Sequence, residues 1–367
     1  MGGRRGALEG VEVIDASFWR GRRVLLTGHT GFKGGWLALW LHGLGARVTG
    51  YALEPPTDPS FFAAADVGGL VEDMRGDIRD LPRMADAIAR CDPQVVFHLA
   101  ARSIVRAGYA DPLETYGTNV MGTAVVLEAC RAARSLEAIV CVTTDKCYEN
   151  LEWEWPYREN DRLGGRDPYS SSKAAAELVA EAYRRSFFSG ASPRVAGLAT
   201  ARAGNVVGGG DWAADRLLPD LARSVRSGEP TVIRNPGATR PWQHVLEPLS
   251  GYLVLAQRLS EEPKRFSEPW NFGPDAGSDR EVGAVVDEVS RLFGPRLVTR
   301  REGGTGPHEA GRLMLDSSKA RARLQWRPRL TLSEALRLTV EWYDRFLAGE
   351  RSMRALSERQ ISEYAAA

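Results

Sequence analysis

One stretch restricts the fold of this chain more than any other. Thr27-Gly28-His29-Thr30-Gly31-Phe32-Lys33-Gly34 follows the apolar run Val24-Leu25-Leu26 and precedes Trp36-Leu37-Ala38-Leu39-Trp40-Leu41. The pattern predicts a strand, a glycine turn and a helix. Gly28, Gly31 and Gly34 recur at every third position. Glycines so placed let a pyrophosphate approach the backbone at a helix N-terminus, where free N–H groups and the helix dipole favour an anion. Three glycines in step are a weak signal alone, and a tight structural turn is the competing reading. The strand before and the helix after strengthen the nucleotide-binding one.

The same alternation continues downstream. Arg47-Val48-Thr49-Gly50-Tyr51-Ala52-Leu53, Gln94 to Ala101, Ala138 to Thr143 and Val195 to Ala203 read as strands. Helices are expected between them, over Leu81–Arg90, Tyr116–Ala133 and Tyr169–Phe187. Gly45 is placed to stop the first helix. Short apolar strands alternating with longer helices predict an α/β fold, a doubly wound parallel Rossmann-type sheet. Beyond it, helices near Leu218–Ser227, Val285–Phe293 and Leu332–Phe346, with strand-like Leu297-Val298-Thr299, predict a smaller mixed α/β C-terminal lobe. The expected division is a lead-in over 1–20 and a dinucleotide-binding domain over 21–204, to which 242–275 return. Residues 205–241 and 276–355 form the substrate lobe, and 356–367 a tail.

In such sheets ligands bind beyond the carboxyl ends of the strands. The polar residues there are Gly28 to Gly34, Ala100 to Ser103 and Thr143 to Tyr148. Tyr169-Ser170-Ser171-Ser172-Lys173 adds a phenol and an ammonium one helical turn apart, on one face. A lysine beside a tyrosine favours the phenolate, which makes a general base.

Other chemistry is disfavoured by composition. A net charge of +1 offers no surface for nucleic acid or anionic membrane. The four cysteines show no CxxC spacing and the five histidines no cluster, so neither a disulfide framework nor a metal site is expected. No signal peptide is evident, and no apolar run approaches the roughly 20 residues of a membrane helix. A reduced, cytoplasmic protein is the expectation.

Several motifs resemble the extended short-chain dehydrogenase/reductase family. They are Thr27-Gly28-x-Thr30-Gly31-Phe32-x-Gly34, Gly76-Asp77-Ile78, His98-Leu99-Ala100-Ala101, Thr144 and Tyr169-x-x-x-Lys173. Thr144 to Asn150, Gly204 to Trp212 and Thr239 to Val245 narrow the resemblance to its nucleotide-sugar 4,6-dehydratases, over about residues 18 to 365.

The resemblance implies a bound NAD and loss of water from a nucleotide-linked glucose, with CDP-glucose the substrate of the most similar branch. It implies catalytic roles for Thr144, Asp145, Lys146, Tyr169 and Lys173, with Asp145 as the acid and Lys146 as the base. Gly28, Thr30, Gly31, Phe32 and Gly34 would meet the pyrophosphate. Asp77 and Ile78 would lie by the adenine, and Leu99, Ala100, Ala101 and Thr143 would line the cofactor path. Asn205, Arg240, Arg301 and His308 are the candidates for substrate, and a homodimer or homotetramer would form through the helices near 116–133 and 169–187. Many relatives carry Asp-Glu where this chain has Asp145-Lys146, which leaves the roles of that pair open. The second strand ends in Tyr51-Ala52-Leu53 with Glu54 late, so this position alone does not choose NAD over NADP. A 4-epimerase, which shares the oxidation step, and a non-catalytic NAD-binding scaffold are the other readings.

Overall fold

A computed structural model of the chain describes residues 14–189, 196–302 and 311–367. Seven strands form the central sheet: β1 (Arg23–Thr27), β2 (Arg47–Ala52), β3 (Glu72–Arg75), β4 (Val95–His98), β5 (Ala138–Val142), β6 (Gly197–Ala203) and β7 (Pro269–Phe272). Their order is β7-β6-β5-β4-β1-β2-β3, and every neighbouring pair is parallel. All five residues of β5, Ala-Ile-Val-Cys-Val, are buried. That is the apolar run required of a strand covered on both faces. The order in which successive strands are added reverses at β1, outward to β2 and β3 and then back across it to β4, which opens a crevice at the carboxyl ends of β1 and β4.

The polar strand β3, Glu-Asp-Met-Arg, carries no apolar alternation and was not expected from the sequence. It is an edge strand that pairs only with β2, and its side chains are exposed or half-buried. Backbone pairing alone makes it a strand.

Helix α1 (Phe32–Gly43) buries every residue from Gly34 to Leu41. Gly45 ends it at φ +81°, its N–H donating to the His42 carbonyl at 2.9 Å. Helix α2 spans Leu81–Cys91, behind an Asp80 cap. The long helix expected near 116–133 begins at Pro112, passes through a π turn at Gly117–Met121 and continues as α3 (Gly122–Cys130). A Cβ on Gly122 would sit 2.5 Å from the Ile78 side chain, so the helix packs closely on the loop that follows β3. Helix α4 (Pro168–Phe187) follows, with Asp167 accepting from the Ser170 N–H.

The second lobe is built on three two-stranded pairs. Val206–Val207 pairs with Gln243–His244, Thr231–Ile233 with Thr299–Arg301, and Thr239–Pro241 with Asp279–Glu281. Helices α5 (Leu217–Ser227), α7 (Val282–Phe293) and α8 (Leu332–Leu347) lie around them, while α6 (Leu246–Glu261) packs on β5 and β6 of the main sheet, to which the chain then adds β7. The glycine run 208–210 lies between the lobes. A Cβ on Gly209 would meet Trp342 at 1.9 Å, and one on Gly210 would meet Phe61 at 2.6 Å.

The expected tail over 356–367 is instead part of helix α9 (Arg354–Ala366). Leu356, Ile361 and Tyr364 are buried, and Tyr364 lies edge-on to Trp40 of α1 at 5.7 Å. The Tyr364 hydroxyl bonds Glu247 at 2.7 Å and Ser250 at 2.9 Å on α6. Its apolar positions were too sparse to suggest a core helix, because α9 needs only a narrow stripe to cover α1 and α6. Within the lead-in, Trp19 is fully buried and stacks on Phe97 of β4, while residues 1–13 lie outside the described residues.

Candidate active site

The turn between β1 and α1 is held by short backbone contacts. Gly28 has φ +79°, its N–H donates to Tyr51 O at 3.0 Å, and its carbonyl accepts from the Gly31 N–H at 3.1 Å. A Cβ on Gly28 would lie 2.7 Å from Ala100 N, and one on Gly34 only 2.0 Å from Gly28 O. Gly31 caps α1 without a side chain. The first N–H groups of the helix therefore face the crevice free of an intramolecular cap. Thr27 Oγ1 accepts from the N–H groups of Leu99 and Ala100 and bonds His98 Nδ1 at 2.8 Å. His98 Nε2 meets Thr123 Oγ1 at 3.1 Å, and burial lowers its pKa to about 3. His98 is thus a neutral brace that fixes the β4 end against the glycine turn.

A cavity of about 1360 Å³ runs from this turn across the strand ends into the second lobe. Every residue expected to bind the cofactor lines it, as do Thr144, Asp145, Lys146, Asn205 and Arg240. Asp77 is held there by Arg79, whose guanidinium lowers the carboxyl pKa and also reaches Glu114 at 2.6 Å. Tyr51, in place of an acidic strand end, donates to Asp77 O at 3.1 Å. One expected substrate residue is not in the cavity. Arg301 is exposed and paired with Asp287 at 2.6 Å, on the outside of the lobe. His308 lies outside the described residues.

The chemistry-bearing groups meet where β5 ends. Thr144 Oγ1 donates to Asp145 Oδ1 at 2.9 Å and also shares a hydrogen bond with the Tyr169 phenol. Asp145 is 2% exposed, and its Oδ2 has no hydrogen-bond partner among the described residues. Burial raises its carboxyl pKa, against the pull of Lys146 and Thr144. Lys173 Nζ donates to Val142 O at 3.2 Å, and burial draws its pKa down to about 8.

One expectation fails here. Lys173 was expected to lower the pKa of Tyr169, yet burial dominates and pushes the phenol up to about 12. The cation that does act downward on Tyr169 is Arg216, at the start of α5. Lys173 is itself desolvated and turned to a strand carbonyl.

Three participants had no decisive sequence signal. Arg216 is bonded to Asp211 at 2.8 Å and to Ser103 at 3.1 Å, so it ties the two lobes across the cavity. Asn119, in the π turn, receives the Arg102 N–H at 2.9 Å and donates to Arg102 O and Ser172 Oγ. A π turn inside a helix often marks a functional position, but nothing in the sequence announces it. Lys33 lies within the glycine turn. Its Nζ lies 3.4 Å from the Tyr252 hydroxyl, and burial followed by the Arg216 charge brings its pKa to about 7, with Asp145 acting upward. The Trp212 and Trp242 rings are buried in the core. Among the described residues no group of His, Cys, Asp and Glu is placed to hold a metal.

A dinucleotide fits these features. The uncapped helix, the glycine cradle and the crevice between β1 and β4 suit a pyrophosphate, and the Thr144–Tyr169–Lys173 cluster stands farther along the same cavity. Fold and cluster together are those of an extended short-chain dehydrogenase/reductase. More narrowly, the chain belongs to the family whose model is described as GDP-mannose 4,6 dehydratase, which matches residues 25–339. It is 51% identical to the CDP-glucose 4,6-dehydratase of Salmonella typhimurium, over 97% of this chain and 99% of that one. MoeE5, solved with UDP-glucose and NAD, is 27% identical at a TM-score of 0.72, covering 88% of this chain and 99% of its own. The dTDP-glucose 4,6-dehydratase of Bacillus anthracis, solved with NAD, shares the fold at 22% identity and a TM-score of 0.72, covering 91% and 99%.

Proposed function

We propose that this chain is a lyase that converts CDP-glucose to CDP-4-keto-6-deoxyglucose with loss of water, using tightly held NAD. The observation that carries the reading is Asp145. A buried carboxyl group with one unpartnered oxygen, adjoining the Thr144–Tyr169 pair, is not needed for oxidation at carbon 4, but is suited to protonating a leaving hydroxyl.

The proton at carbon 5 is not acidic until carbon 4 is a ketone, so oxidation must precede elimination. When bound, NAD supplies a reversible hydride acceptor, reduced by carbon 4 and reoxidised by carbon 6. Gly28, Thr30, Gly31, Phe32 and Gly34 would hold its pyrophosphate, with Asp77 and Ile78 at the adenine and Leu99, Ala100 and Ala101 along its path. Tyr169 takes the proton of the carbon-4 hydroxyl, and Thr144 fixes the reacting oxygen beside it. Arg216 supplies the positive charge that favours the phenolate. Asp145 gives its proton to the hydroxyl leaving carbon 6, and Lys146 takes the proton from carbon 5. Lys33 is the alternative base, because an amine with a pKa of about 7 is substantially neutral near pH 7. Asn205 and Arg240 hold the sugar diphosphate from the second lobe.

The test is mass spectrometry of the nucleotide sugar after incubation with CDP-, UDP-, dTDP- and GDP-glucose. Loss of one water from CDP-glucose is expected. An isomer of unchanged mass would replace this reading with a 4-epimerase, and no turnover with any of the four would leave a binding scaffold. Lys33→Met and Lys146→Met, compared in the same assay, identify the base.

The exposed Leu113, Met121 and Leu178 lie on the adjoining helical segments 112–130 and α4, and support self-association as a homodimer or homotetramer through these helices. Four free, buried cysteines suit a reducing, cytoplasmic setting. No helix among the described residues is long and apolar enough to cross a membrane.

A further inference from the structure

Tyr169, Lys173 and Glu177 recur at every fourth position on the buried face of α4. The function above uses the first two and leaves the third unassigned. Glu177 and Arg202 of β6 form an ion pair at 2.8 Å, each side chain only 3% exposed. Glu177 Oε1 accepts from the Thr143 hydroxyl, and Oε2 accepts from Thr200 Oγ1 at 2.7 Å as well as from Arg202. Arg202 Nη1 extends the network to the Tyr148 hydroxyl at 2.8 Å and to Glu159 O at 3.1 Å. Tyr148 in turn donates to Asn271 of β7 at 2.7 Å.

We propose that the Glu177–Arg202 pair is the positioning element that sets Thr144, Asp145 and Lys146 against Tyr169 and Lys173. The proposal rests on the function assigned above. The structural argument is one of consecutive grips. Helix α4 holds Val142 through Lys173 and Thr143 through Glu177. The next residue is Thr144, which meets Tyr169 on that same helix. Arg202 then fixes Tyr148, on the far side of Asp145 and Lys146. The catalytic segment is therefore clamped at both ends by one buried ion pair. Thr143, expected to meet the cofactor, spends its hydroxyl on this clamp.

Stability alone does not account for the pair. Buried ion pairs are often replaceable by apolar side chains of similar volume without loss. The carboxylate has a second effect on the site, since Glu177 raises the proton affinity of Lys173 against its burial. The other groups facing Lys173 are Cys141 on β5 and Cys147 beyond it, which act in the same direction, together with Lys33 and the neutral His98. Without Glu177, Lys173 loses its proton at lower pH.

The experiment compares wild type with the double variant Glu177→Gln/Arg202→Met, which removes both charges together. Water loss from CDP-glucose gives kcat, KM and the pH profile, and thermal unfolding reports integrity. The expected result is a near-native melting temperature, KM within about threefold, and kcat lowered about ten- to a hundredfold, the cost of small misplacement. The alkaline limb should move down by about one pH unit. A folded double variant with wild-type kcat and an unmoved alkaline limb overturns the proposal. Should that variant not fold, Arg202→Lys keeps the charge pair while losing the bond pattern. It should lower kcat and leave the limb in place, and wild-type kcat in this variant overturns the clamp. A wild-type protein that releases no water from CDP-glucose defeats the proposed function instead, so the two failures are distinguishable.

Discussion

Replacing Asp145 by asparagine removes a buried charge while keeping the shape and the oxygen that accepts from Thr144. Two effects of opposite sign follow. The carboxyl is 2% exposed, its Oδ2 has no partner among the described residues, and burial raises its pKa. Ionising a buried carboxyl with an unpartnered oxygen costs about 1–3 kcal/mol, which the uncharged amide avoids although its Nδ2 takes the unpartnered place. The sign with pH is fixed by the direction of the shift. A carboxyl raised on folding costs nothing in acid, where folded and unfolded chains are both protonated; its penalty grows as pH rises from the ordinary carboxyl value towards the raised one and levels off above it. Asp145→Asn should therefore match wild type in urea unfolding at acid pH and exceed it by about 1–3 kcal/mol near neutrality. Catalysis moves the other way. Loss of a general acid lowers the elimination rate about 10²- to 10⁴-fold, roughly 3–5 kcal/mol of barrier. Oxidation at carbon 4 should survive, so the variant accumulates reduced nicotinamide by absorbance without the mass loss of water. Wild-type product formation, or a stability difference that does not change with pH, would refute the reasoning.

Other perturbations separate parts of the site. Gly34→Ala places a Cβ 2.0 Å from Gly28 O and must open the cradle, costing about 1–3 kcal/mol and most of the NAD affinity, read by calorimetry. Arg216→Ala removes the cation that lowers the pKa of Tyr169, and should shift the onset of oxidation to higher pH. Arg301→Ala, outside the cavity, should leave kcat and KM within about twofold, as expected for an exposed ion pair. Tyr364→Phe takes the hydroxyl from buried Glu247, and should lower stability by about 1.5–3 kcal/mol in chemical denaturation with kcat unchanged.

Much of the architecture was legible because buried parallel strands are written as unbroken apolar runs, as in β4 and β5. The glycine turn was legible for a similar local reason, since close approach of backbone to backbone admits no side chain. β3 was not, because an edge strand needs no apolar face. Helix α9 was missed because its partners, α1 and α6, are remote in sequence and its own stripe is thin. Arg301 looked like a phosphate ligand from its neighbourhood in the chain, but the fold turned it outward to Asp287.

The sequence by itself determined the order of elements and placed Gly28–Gly34, Thr144–Lys146 and Tyr169–Lys173 at strand ends and a helix start. Those follow from short-range periodicity and from the residue types a turn or a strand end can hold. Only the tertiary structure decided the charge states and the supporting cast. Tyr169 is a weaker acid than its neighbour Lys173 suggested, because burial outweighs one nearby charge. Lys33, Arg216, Asn119 and the Glu177–Arg202 clamp act on residues far along the chain. Desolvation and electrostatics depend on distances in space, and these arise only when the two lobes close around one cavity.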